Sequence, residues 1–190
     1  MPVVWAGSHR THRSSGSPLP FNRPGLMGIS MRLYLAPDSD LYAFGGAPRT
    51  MQAWIRYPRS TPDVSLQEYW QDLEAILFDE AAGRPSPFRP QGADFTYPFI
   101  ADHGAYALSS TSTLTLLQRI DQVARPQVEA YVQRRWAGLT VQAGHSPELT
   151  PVQLSAQTEE LLLYLSRLRE ACTLAARTGY GLLMALWEER

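Results

Sequence analysis

Two apolar stretches bracket this chain, Ile29 to Ala36 near its start and Tyr180 to Trp187 at its end, and both are rich in residues that suit β-strands. Between them lie several segments with helical spacing, and amphipathic helices need a sheet to pack against. The two stretches are therefore expected to share one small sheet, mixed or antiparallel, packed against several helices. That is an α+β fold in a single domain. Within the first stretch Ile29, Met31, Leu33 and Leu35 fall on one side, the alternation of a half-buried strand. A chain of 190 residues suits one domain and can bury roughly two-thirds of the surface its unfolded form exposes.

The segments in between carry their own punctuation. Pro37-Asp-Ser-Asp40 breaks the first strand and can start a short helix; Gly45-Gly46 interrupts, Pro48 restarts a turn or two through Ile55, and Pro58 stops it. From Ser65 to about Ala82 the pattern predicts an amphipathic helix. Ser65 and Glu68 have the spacing of a capping box, and Leu66, Tyr69, Trp70, Leu73 and Leu77 share a face. Gln67, Gln71, Asp72 and Glu74 turn away from it. Residues 83 to 99 hold six Gly and Pro breakers and read as a surface loop pinned by Phe88, Phe95, Tyr97 and Phe99.

After a short extended piece, Tyr106 to Leu108, Ser109 or Ser110 can cap a helix through Val123. Pro126 suits the first turn of another, with Val128, Tyr131, Val132 and Trp136 inward and Gly138 as its stop. A loop from Leu139 to Leu149 follows. Thr150-Pro151-Val152-Gln153 then combines a cap, a Pro at the first helical position and a Gln at the box position. The long helix they open runs to Arg177 and ends at Gly179.

Charge and composition narrow the function classes. All 17 basic residues are Arg, and Asn occurs once, at Asn22, a bias that reads as GC-rich coding. Residues 1–26 are rich in Ser, Pro and Gly, with three Arg and no acid, and form a disordered or mis-assigned tail in which Met27 is the expected true start. Taking those three Arg from 17 leaves 14 basic against 18 acidic residues over 27–190, net −4. Neither nucleic acid nor an anionic membrane is an expected partner. No apolar run approaches the ~20 residues of a membrane span, and the first residues lack the order of a secretory signal. A cytoplasmic location is the expectation.

Chemistry is sparse. Cys172, the single cysteine, shares helical spacing with Leu161, Leu165, Leu168 and Ala175, so it reads as a small buried hydrophobe. His103 and His145 are the only histidines after the tail, and no helix carries a metal-ligand pair, so neither a metal nor a cofactor is expected. The nearest thing to a catalytic set is Asp102-His103-Gly104 beside the hydroxyl cluster that begins at Ser109. It would make His103 a general base and Ser109 or Ser110 a nucleophile in a small hydrolase or transferase. No nucleophile elbow surrounds those serines. A loop histidine next to a capping serine is the simpler reading. Trp54, Trp70, Trp136 and Trp187 sit on apolar faces; Trp70, Leu73, Leu77, Leu165 and Leu168 are the expected core anchors, with Trp70 largely buried.

Several of these pieces occur together in one known family. They are Met27-Gly28 leading into a strand, Ser65-Leu-Gln-Glu-Tyr-Trp70 opening a helix with Leu73 and Leu77, and Tyr106-Ala-Leu-Ser109 entering another. A long helix and Gly179-Tyr-Gly-Leu-Leu-Met-Ala-Leu-Trp187 complete the set. In this order, over residues 27 to 188, they resemble the YfbM-like family of uncharacterised bacterial proteins, a domain of unknown function. That family tends to carry Asp-Lys before the Trp and a His four residues after it; here Gln67-Glu68 and Glu74 stand there. The resemblance implies a small α+β domain with no established activity, and it carries a fold, not a reaction. A non-enzymatic module that binds another protein, through an acidic face or a free sheet edge, is the leading expectation.

Overall fold

An apolar strand at each end of the chain becomes a single antiparallel pair. In the computed structural model, residues 29–56, 64–78, 86, 95–100, 103–143 and 149–188 are described. Their elements run β1 (Ile29–Ala36), α1 (Asp38–Gly46), α2 (Pro48–Arg56), β2 (Val64–Gln67), α3 (Trp70–Leu77), β3 (Phe95–Ile100), β4 (His103–Leu108), α4 (Ser110–Ile120), α5 (Arg125–Ala143), α6 (Pro151–Thr178) and β5 (Gly181–Glu188). The strands form one sheet in the order β2-β1-β5-β4-β3, antiparallel at each described pairing. β1 and β5 pair over their full length, from Ile29 opposite Glu188 to Ala36 opposite Gly181. The α+β expectation and the shared sheet both hold.

β1 is covered on both faces, not one. Met31, Leu33 and Leu35 join Leu108, Leu182 and Met184 in a core packed by α3, α4 and α6. On the other face Tyr34, Ala36, Ala105, Ala107, Leu183 and Ala185 meet Leu41 and Phe44 of α1 and Met51 of α2. Trp54 packs at this second core, with its ring centroid 5.4 Å from Phe44 and 6.1 Å from Tyr34, edge-on to the latter. Ser30 and Arg32 made β1 look half-exposed in sequence; Ser30 is 2 % exposed and Arg32 half-buried. An inner strand of a sheet with helices on both sides is buried all round.

The long helix behaves as its sequence reads. The Thr150 hydroxyl accepts from the Gln153 N–H at 3.3 Å, and the Gln153 side chain meets the Thr150 N–H at 3.0 Å, which completes the capping box. At the other end Gly179 adopts φ 69°, the left-handed conformation that closes a helix at least cost when the residue is glycine. None of the described helices is long and apolar enough to cross a membrane.

Other expectations are corrected. Ser65 does not cap a helix: it lies in β2, and its hydroxyl accepts from the Gln67 N–H at 3.2 Å. Val64 and Leu66 fit a period of two as well as one of 3.6, and pairing with β1 decides for the strand. α3 starts only at Trp70, without a side-chain cap. Trp70 is accordingly half-buried at the margin of the core, as is Leu77, while Leu73 and Ile76 fill the centre of the buried face. The expected loop 83–99 ends as a strand, β3, at Phe95. Its alternation of Phe95, Tyr97 and Phe99 was masked by Pro98, which is tolerated because β3 is an edge strand. α5 continues past the exposed Gly138 to Ala143. Residues 1–28 and 79–85 lie outside the described residues, as do Pro58 and Phe88.

One glycine is required by contact. A Cβ on Gly181 would lie 2.2 Å from the Leu108 carbonyl oxygen, 2.6 Å from Leu41 Cδ1 and 2.9 Å from Asp38 Oδ1. The Leu108 oxygen belongs to the backbone of the neighbouring strand and cannot swing aside. Gly181→Ala should therefore destabilise the protein by about 1–3 kcal/mol, the range for overpacking a filled site. Gly138→Ala, with nothing within 4 Å, should stabilise it by about 0.5–1 kcal/mol. Urea melts of both variants check the opposite signs.

Candidate functional site

The histidine–serine set comes apart along β4. His103 opens that strand opposite Ile100, and Ser109 follows its last residue. Six residues at about 3.3 Å each separate their Cα atoms by roughly 20 Å. Ser109 is the N-cap of α4, its Oγ accepting from the Ser112 N–H at 3.2 Å. Ser110 donates through its N–H and Oγ to the Asp38 carboxylate, at 2.9 and 2.8 Å. Both serines thus hold the start of α4 in place, and Asp38 supplies the negative charge that a helix N-terminus favours. The structure does not bring His103 and Ser109 together, and Asp102 lies outside the described residues.

A polar cluster that the sequence did not suggest sits between α3 and α5. Asp72, read as turned away from the core, is 2 % exposed. Its Oδ1 accepts from the Tyr131 hydroxyl at 2.6 Å and meets the Arg135 guanidinium at 2.7 Å. Tyr131 and Arg135 stand four residues apart on one face of α5, so both reach the same carboxylate. Gln127, a turn earlier, donates to the Ile76 carbonyl at 3.1 Å, one of the orphan carbonyls at the end of α3. The i, i+4 pair of Tyr and Arg was the available signal for a buried acid. Glu74, also read as exposed, is buried on α3. Its charge helps raise the Tyr106 hydroxyl above its ordinary range, after the larger effect of burial.

Other core anchors take their places around α6. Leu165 and Leu168 are buried beside Tyr164, whose ring stacks on Tyr69 with centroids 4.4 Å apart. The Tyr164 hydroxyl donates to the Gln67 side chain, and Arg167 lies over its ring at 4.9 Å. Cys172 is fully buried, and burial pushes its thiol from the usual 9.0 up to about 12. No set of three or more His, Cys, Asp or Glu among the described residues could hold a metal ion.

A concave surface lies where the end of α4 turns toward α5 beside α6. It is a cleft of about 370 Å³ lined by Ile120, Asp121, Val123, Leu162, Leu165, Ser166 and Arg169. Arg169 Nε meets Asp121 Oδ1 at 2.6 Å on its rim, and both side chains are about half exposed. A pair so placed contributes at most about 1 kcal/mol to stability. Polar and apolar surface share the lining of the cleft about equally, with Ile120, Val123, Leu162 and Leu165 on one side and one hydroxyl and one ion pair on the other. It presents no nucleophile beside a base.

A five-stranded antiparallel sheet between two short helices and a larger helical layer defines an α+β protein. Its fold is similar to that of a solved structure, YfbM from Escherichia coli, a protein of unknown function. The TM-score is 0.58 at 10% sequence identity, and the match covers 83% of this chain and 99% of that one. This is the fold that the sequence resemblance implied. No family model matches the sequence, and no curated protein matches it.

Two predictions arise from the buried groups. Arg135→Met removes the counter-charge of a buried carboxylate and should cost about 3 kcal/mol; adding Asp72→Asn should recover part of that loss. Urea melts of the single and double variants test the coupling, and an unchanged midpoint for Arg135→Met would contradict it. The second concerns pH. The folded state holds the Cys172 proton up to about pH 12, whereas the unfolded chain releases it near 9.0. Stability should therefore fall as pH rises through that window, by up to about 1.4 kcal/mol per unit from this group. Cys172→Ala should flatten the slope. In the native state at pH 8 the thiol should resist a thiol reagent that labels it in urea.

Proposed function

We propose that this chain is a non-enzymatic protein-interaction module, acting in the cytoplasm, with residues 27–190 as its domain. The observation that carries the reading is the cleft beside Asp121 and Arg169. Its apolar half, from Ile120, Val123, Leu162 and Leu165, suits one or two apolar side chains of a partner, and its exposed acid and base can meet complementary charges at the rim. At about 370 Å³ it stands at the small end of the range for small-molecule sites, about 300–1,000 Å³. It lacks the several convergent polar groups that fix a small ligand. The occupant that fits is a short amphipathic segment of another protein, with one or two leucine-sized anchors flanked by charge.

The sheet edges support the helical surface over strand pairing. β2 is four residues long and ends at Gln67, whose φ of 48° turns the chain out of the sheet. In β3, Pro98 has no N–H to donate, and the pairing with β4 shifts between Tyr97 and Ile100. Short, bulged, proline-bearing edges discourage the addition of a foreign strand.

The test uses Ser166→Arg. Ser166 is exposed on α6 and lines the cleft, so a long cationic side chain there obstructs it while the core stays intact. A pull-down from the native host should enrich a protein over a matched unrelated bait, and Ser166→Arg should reduce that enrichment at least tenfold. Equal capture by the variant would contradict the cleft as the docking surface. No enrichment over the unrelated bait would contradict the interaction reading itself.

A further inference from the structure

We draw no further inference here: the strongest candidate, the side-chain cluster in which Tyr164 of α6 holds Gln67 at the end of edge strand β2 beside the stacked ring of Tyr69, carries nothing because its hydroxyls are already bonded within the chain, to Gln67 and Glu160, and only the left-handed backbone of Gln67 sets it apart.

Discussion

The pairing of β1 with β5 is the contact on which the other elements depend. It joins the two ends of the described chain, so every described helix lies within the loop that it closes. Closing so long a loop is entropically expensive, although the cost rises only logarithmically with its length. Burial on both faces of the two strands offsets it. Met31, Leu33, Leu182 and Met184 face the larger helical layer, while Tyr34, Leu183 and Ala185 face α1 and α2. The two layers differ in grain. Ala36, Ala105, Ala107 and Ala185 leave little side-chain height under α1 and α2, and the large rings of Phe44 and Trp54 complete that side.

A single joint locks the ends of this arrangement. Where β5 begins, Gly181 lies close against the Leu108 carbonyl and the Leu41 side chain, near the Asp38 carboxylate. Asp38, the first residue of α1, also anchors the start of α4 through Ser110. The helix beginnings of both layers thus meet at one carboxylate beside the central strand. The hydroxyls that resembled catalytic machinery are part of this joint. Ser109 caps α4 and Ser110 ties the helix to Asp38, which explains why a Ser-rich run follows directly on a strand.

Much of the fold was legible because it rests on local signals. Thr150-Pro151 with Gln153 and Gly179 bound α6 within a residue, and the alternation at Met31, Leu33 and Leu35 marks β1. What was not legible depends on partners distant in sequence. Ser65 and Glu68 have capping-box spacing, yet Leu66 belongs to a strand because β1 offers it hydrogen bonds and the core takes its side chain. Asp72 reads as a solvated acid until α5 brings Tyr131 and Arg135 to it. Of the candidate site, His103 and Ser109 were visible as residue types, but the extended backbone between them was what decided their separation. The cleft could not be foreseen, since its walls come from α4, the turn after it, and α6.

Native-state hydrogen exchange tests the central pairing most directly, because it reads how much of the molecule must open before a given amide is exposed. The amides of residues 31–35 and 182–185 that bond across the pair should be among the slowest to exchange, with an opening free energy equal to that of global unfolding. Those of α1 and α2 should exchange through smaller openings. If β1 or β5 exchanged well before α6 while the rest of the fold stayed protected, the two terminal strands would be an attachment to the structure and not its centre.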